Sequence, residues 1–171
     1  MSAEKLDFAD ELFDVVTAIE VIEHVLDLGR ALFEINRVLK VGGAFLVTCP
    51  NEVFPIELHN LRIGRRRVAG RYVPFVPWVR PLHRRIGIAR NLSAGGLRSL
   101  LERNGFRTHA IDYVMPPFDH WQAGRRRVKP LLDRIEGTPL RVLGVSLAGV
   151  FVKEAPAQEA TGAHRRETRL G

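Results

Sequence analysis

The 171-residue chain holds one cysteine, Cys49, so no internal disulfide can form, and the count fits a reducing compartment. No apolar run approaches the roughly 20 residues that a bilayer span requires, and no opening segment has the basic start, apolar stretch and small-residue cleavage site of a secretory leader. The expected location is the cytoplasm. Lysine is also scarce, with four against 22 arginines. Arginine suits bidentate contact with phosphate or carboxylate, although a GC-rich genome produces the same bias. No G-x-G-x-x-G pattern occurs: Gly42-Gly43 closes a helix-like stretch, Gly95-Gly96 opens one, and neither follows a strand into a ligand-facing turn.

What is present is enough apolar content, 46%, for a single globular domain with its own core. The charge is unevenly placed. Residues 1–51 carry a net −5, residues 52–92 a net +7 and residues 93–171 a net +5.

"FDVVTAI", Phe13 to Ile19, is continuously apolar and β-branched, as in a strand covered on both faces of a parallel sheet. Asp27 can cap a helix running to about Leu39, with Leu28, Ala31, Leu32, Ile35 and Leu39 at helical spacing. "VGG", Val41 to Gly43, is the expected helix stop, and "AFLVTCPN" the next buried strand. Strand, helix and strand within about 40 residues make a right-handed βαβ unit. Strands 13–19 and 44–49 are therefore expected to be parallel in an α/β fold. Ligands in such sheets sit beyond the carboxyl ends of the strands, which puts Glu20 to His24 and Pro50 to Glu52 on one rim.

Residues 52–92 hold four prolines, two arginine clusters and no clear period, and read as an insertion or cap over that rim. "NLSAGGLRSLLERNGF" gives a helix capped by Ser93 and stopped at Gly105. A strand from about Thr108 to Val114, a loop with a short helix, and an apolar closing strand in "VLGVSLAGVFVKEA" follow. One domain over residues 1–155 is expected, with residues 156–171 as a disordered tail.

In sequence order, "AEKLDF", "FDVV", "EHVLD", "RVLKVGG" and "LLERNGF" resemble the C-terminal half of class I S-adenosylmethionine-dependent methyltransferases, of the methyltransferase type 11 or ubiquinone-pathway kind. The likeness covers residues 2 to about 153. Asp7 and Val41 stand where the family usually has proline. The resemblance implies a partial Rossmann-like sheet, strands four to seven of the family with the last antiparallel, plus a basic cap insertion. It also implies that the Gly-rich cofactor loop would lie before Met1. Strand 13–19 then lacks its neighbour, and a truncated chain, a missing N-terminal half or a protein partner is expected. The chain alone should bind S-adenosylmethionine weakly or not at all.

Several residues carry the implied chemistry. Ile19 would form the cofactor wall by backbone and apolar contact, with Glu20 ordering the loop and Ala3 beside the adenine. Positions 20, 23 and 24 share one face of a helical turn, so Glu20, Glu23 and His24 could hold a divalent cation. A similar arrangement in ubiquinone-pathway O-methyltransferases and small-RNA 2′-O-methyltransferases is associated with Mg²⁺. The competing reading is a family loop that orders the cofactor site without metal. His59 is a candidate fourth ligand, with a cap histidine the commoner role. His24 is also a candidate general base, because an imidazole, with an ordinary pKa of about 6.5, can take a proton from an acceptor hydroxyl.

The arginine groups at 65–67, 84–85 and 125–127 interleave with Tyr72, Phe75, Trp78 and Trp121. Such a surface suits an anionic partner: a phosphorylated substrate, a membrane surface in peripheral contact or, less expected, nucleic acid. A solvated basic cap is the plain alternative. The resemblance thus implies O-methylation of a small-molecule acceptor. The alternative function is a non-catalytic binding or assembly module that docks an anionic partner through its arginines.

Overall fold

The computed structural model describes residues 2–115, 130 and 134–156. The first helix, α1 (Leu28–Val38), follows strand β1 (Phe13–Ile19) and runs straight into β2 (Leu39–Pro50). Asp27 caps α1 as expected, its side chain accepting a hydrogen bond from the Arg30 amide at 2.9 Å. The two strands pair in parallel, with Ile19 opposite Thr48, so the βαβ unit is present.

The helix ends differently from the expected glycine stop. Leu39 already has extended backbone (φ −84°, ψ 136°), and Lys40 to Gly43 belong to β2. Gly42, at φ +80°, lies at an irregularity where the β1–β2 register shifts between Phe13 and Val15. The glycines thus shape a bulge in the strand, and the chain turns from helix to strand without a loop.

Two further strands complete the main sheet. β5 (Phe106–Val114) follows α3 (Ala94–Glu102), and β6 (Ser146–Lys153) inserts antiparallel between β2 and β5, giving the order β1-β2-β6-β5. The last strand is antiparallel, as the resemblance implied. Ser93 caps α3 through the Gly96 amide, and Gly105, at φ +83°, follows the helix.

One core holds these pieces together. Leu32, Ile35 and Leu39 from the α1 side, Leu97 and Leu101 from α3, and Phe45, Val47, Leu147 and Phe151 from the sheet form a continuous buried cluster. Burial alternates along β6, where Leu147, Gly149, Phe151 and Lys153 are buried. β1 is not covered on both faces as its composition suggested. It pairs only with β2 among the described residues, and Val15 and Ile19 are more than half exposed.

The N-terminal segment is held by α1. Arg37 donates to the Leu6 and Phe8 carbonyls and to the carboxylates of Asp10 and Glu34. This network holds the Glu34 carboxyl down at about 2, mainly through the Arg37 hydrogen bonds and against the effect of burial. Glu4 accepts from the Leu26 and Asp27 amides, both at 2.9 Å, tying the first turn to the loop before α1.

The expected cap, residues 52–92, has more regular structure than the sequence suggested. An antiparallel hairpin, β3 (Asn60–Ile63) and β4 (Arg66–Ala69), turns at Gly64 (φ +62°) and leads through two short 3₁₀ turns into α2 (Arg80–Ile86). The expected arginine group 125–127, Trp121 and, of the expected tail 156–171, residues 157–171 lie outside the described residues.

Candidate functional site

The carboxyl ends of β1 and β2 open onto one rim, and the cap segment is tied to it. Chain return is fixed by backbone bonds: Leu92 N–H donates to the Pro50 carbonyl and Glu52 N–H to the Leu92 carbonyl. Arg90 stitches the cap to the rim loop. Its amide donates to the Glu23 carbonyl, and its guanidinium to the Val25 and Leu26 carbonyls at 2.7 and 2.9 Å.

At the strand exit, Glu20 takes a left-handed φ of 51°, rare for a residue with a Cβ. Its amide donates to both the carbonyl (3.2 Å) and the hydroxyl (3.0 Å) of Thr48 on β2, which hold it there. Residues 20–24 therefore form an irregular turn, closed by His24 N–H on the Val21 carbonyl, and not the regular helical turn that the spacing suggested.

That change of backbone regroups the candidate ligands. Glu23, His24 and His59 bring one ligand atom each to within 4.8 Å of one another; Glu20 stays outside this group. The Glu23 side chain is fully buried, and neither carboxylate oxygen has a hydrogen-bond donor among the described residues. Burial pushes its carboxyl above the ordinary carboxylate value; the nearby Glu20 charge adds to the rise, while its own backbone amide and His59 oppose it. His24 is half exposed, with Nε2 3.7 Å from Glu23 Oε1 and its ring edge-on to His59 at 5.1 Å between centroids.

His59 is set in place by a residue that sequence reasoning did not single out. Glu57, 1% exposed, accepts the His59 amide on Oε1 at 2.8 Å. Its Oε2 lies 2.6 Å from His83 Nε2 on α2 and accepts from Asn91 Nδ2 at 3.1 Å. Burial disfavours the Glu57 charge, yet the bonds from His59 and His83 outweigh it and hold the carboxyl well below the usual carboxylate range. In return Glu57 raises the His59 imidazole above its ordinary value, against burial and with help from Glu23 and Glu20. His59 Nδ1 sits 3.3 Å from Glu57 Oε1, at ion-pair distance but out of line for a hydrogen bond. Gly70 leaves room for this carboxylate: a Cβ there would collide with the Glu57 side chain and the His59 carbonyl. The Glu57-Leu58-His59 spacing was the only sequence trace of this latch.

Two hollows flank the group. One of about 20 Å³, lined by Glu20, Asn51, Glu57, His59 and Asn91, has room for a single water beside the unpaired Asn91 Oδ1. The other, about 610 Å³, lies between α2 and the start of α3, with Glu52, Arg80, His83, Arg84, Arg90 and Ser93 on its walls.

The remaining candidates are placed as follows. Ile19 exposes 58% of its surface at the end of β1, an apolar side chain open at the rim. Ala3 lies in the Ser2–Lys5 turn that Glu4 fastens to the loop before α1. Cys49 is buried, and burial, with Glu23 and Glu20 adding, pushes its thiol up to about 12, so it is no nucleophile at neutral pH.

Comparison with known proteins finds similarity to methyltransferases. The methyltransferase domain family matches residues 1–47. A protein of Mycolicibacterium smegmatis named as a probable S-adenosylmethionine-dependent methyltransferase is 34% identical over 102 residues, 60% of this chain and 32% of that protein. The demethylmenaquinone methyltransferase of Thermobifida fusca is 39% identical over 74 residues, 43% of this chain and 29% of that one. Each match thus spans about a third or less of the curated relative. An S-adenosylmethionine-dependent methyltransferase structure from Mesorhizobium loti superposes with a TM-score of 0.54 at 18% identity, covering 90% of this chain and 67% of that one. Over residues 1–47 the chain is similar to the methyltransferase domain family, and its fold is the Rossmann-like one of the S-adenosylmethionine-dependent methyltransferase structure that it superposes on.

Proposed function

We propose that the rim is one wall of a methyl-transfer site that moves a methyl group from S-adenosylmethionine to a hydroxyl of a small-molecule acceptor. The observation that carries this reading is the juxtaposition, on a rim of this fold, of exposed Ile19 with the Glu23, His24 and His59 group. When bound, the cofactor supplies an electrophilic methyl on sulfonium, so the protein has only to align the acceptor and accept its proton. Ile19 offers apolar contact, Glu20 is locked at the strand exit, and Glu4 fastens the Ala3 turn to the loop before α1. His24, half exposed beside a buried carboxylate, is the base we assign to the acceptor hydroxyl. The 610 Å³ cleft with its arginines is suited to an acceptor that carries negative charge.

A divalent cation fits the same group, since Glu23 offers two buried oxygens without donors. The residues that would hold it are Glu23, His24 and His59; with a cation bound, His24 would serve as a ligand in place of the base, and the ion would lower the pKa of an acceptor hydroxyl. Two imidazoles and one carboxylate suit Mn²⁺ or Zn²⁺ better than Mg²⁺, which prefers an all-oxygen shell.

The test is a titration of the ¹⁵N-labelled chain with S-adenosylmethionine, followed by amide shifts. Saturable shifts at Ala3, Ile19 and Glu20 with millimolar affinity are expected. Shifts confined to β5, or none at the rim, would overturn the cofactor assignment. Adding Mn²⁺ should then broaden His24 and His59 in the wild type but not in Glu23→Ala; equal broadening in both removes the cation from the reading.

A further inference from the structure

We propose that residues 60–88 of the cap form a docking surface for an anionic lipid bilayer. The inference stands on the cap alone and does not require methyl transfer.

The first observation is charge without countercharge. From Asn60 to Leu97 the chain has no aspartate or glutamate, while Arg62, Arg65, Arg66, Arg67, Arg71, Arg80, Arg84, Arg85 and Arg90 fall within that stretch. Three of these have partners: Arg80 pairs with Glu52, Arg90 with rim carbonyls, and Arg71 with the Tyr72 ring. Arg62, Arg65, Arg66, Arg67, Arg84 and Arg85 are exposed and make no ion pair among the described residues. The hairpin even sets Arg62 directly opposite Arg67, a cross-strand pairing of like charges that costs stability in isolation. A surface that only needed solubility would intersperse both signs.

The second observation is apolar surface in the same segment. Tyr72 is 70% exposed, Trp78 54%, Phe75 53%, and Ile63, Val79 and Leu82 are also open to solvent. Phe75 holds a left-handed φ of 66° and packs its ring against Trp78 at 5.0 Å. The Trp78 indole N–H is already satisfied by the Val53 carbonyl, so the ring can be desolvated without stranding a donor. Aromatic rings, aliphatic side chains and long cationic stems together are what the headgroup boundary of a bilayer rewards: rings and methyls enter, guanidinium groups stay with the phosphates.

That mixture selects among anionic partners. Bases would stack on Tyr72 or Trp78, but they offer nothing to Ile63, Val79 and Leu82. A lipid surface uses all of them. Docking in this way would bring the arginine-lined cleft beside α2 close to the membrane, where an acceptor partitioned in the bilayer could reach it.

The experiment is flotation of the full chain with vesicles of phosphatidylcholine alone or mixed with phosphatidylglycerol. Binding to the mixed vesicles only, weakening as salt is raised, is expected. Arg66→Glu with Arg67→Glu should lower the partition coefficient at least about thirtyfold, and Tyr72→Ser with Phe75→Ser should also weaken it. Arg98→Glu with Arg107→Glu, of equal charge change outside the cap, should keep most of the binding. Thermal melting of each variant checks that it is folded. Equal binding to both vesicle types, equal loss in the control variant, or full displacement by a single-stranded RNA would each overturn the proposal, the last in favour of nucleic acid.

Discussion

The sheet with α1 and α3, and the cap above it, are built on opposite terms. In the scaffold, Phe45, Leu32, Leu97, Leu147 and Phe151 are fully buried in one cluster, and the buried Glu34 and Lys153 have partners, in the Arg37 network and in the Leu39 carbonyl that accepts from the Lys153 ammonium at 2.8 Å. In the cap, Leu61 is the fully buried large side chain among the described residues of 60–88, aromatics point outward, and six arginines lack ion-pair partners. The scaffold's sequence is arranged for folding. The cap's sequence sacrifices local stability, which is the mark of a surface shaped by what it meets. Arg90 joins the two through the Glu23, Val25 and Leu26 carbonyls, and inside the cap one buried carboxylate, Glu57, gathers His59, His83 and Asn91.

The sharpest way to break the comparison is to remove the carboxylate that holds the cap together. Glu57→Ala leaves His83, Asn91 and the His59 amide without their acceptor, a loss of about 3 kcal/mol if the site cannot rearrange. The cost should fall on the cap. Hydrogen exchange is expected to show amides of β3, β4 and α2 losing protection while β2 and β6 keep theirs. Uniform loss across both regions would mean that cap and scaffold unfold as one unit.

A weaker perturbation, acid, reaches the scaffold first through Glu34. Its folded pKa is depressed from 4.5 to about 2, chiefly by Arg37, so the stability it contributes is present above pH 4.5 and is lost as pH falls toward 2. Thermal midpoints should decline over that window, and Glu34→Gln should flatten the decline while lowering the midpoint at neutral pH. Unchanged slopes would show that the Arg37 network does not hold the N-terminal segment. Glu57, also depressed, loses its contribution in the same direction but at still lower pH.

How much of this could be read from the residues follows the same divide. β1 was legible to the residue, as were the Asp27 and Ser93 caps and the Gly105 stop, because local chemistry decides them. The glycines at 42 and 43 misled, since a bulge in a parallel pair and a helix stop use the same residue. The site was half legible. Glu23 and His24 are adjacent and sit on a recognisable segment, but a helical turn was the wrong geometry for them, and the left-handed Glu20 that defeats it is held by Thr48, 28 residues away. Glu57, His83 and Asn91 meet only through the cap's tertiary path, and no periodicity announces a contact between positions 26 and 34 residues apart.

The smallest expected effect separates the regions most cleanly, because its sign differs between two measurements. Arg67→Thr removes one of the two like charges facing each other across β3 and β4, and puts a good strand former in its place. Relief of a like-charge cross-strand pair is worth about 0.2–1 kcal/mol, so stability should rise slightly at low salt. The gain should shrink at about 1 M salt, where screening acts within about 3 Å. Partition onto phosphatidylglycerol vesicles should fall in the same variant. A chain that becomes more stable and binds less would show that Arg67 is kept for its partner and not for the fold. Should stability drop by more than about 1 kcal/mol instead, Arg67 is part of the cap's structure, and the contrast between the two regions loses its best example.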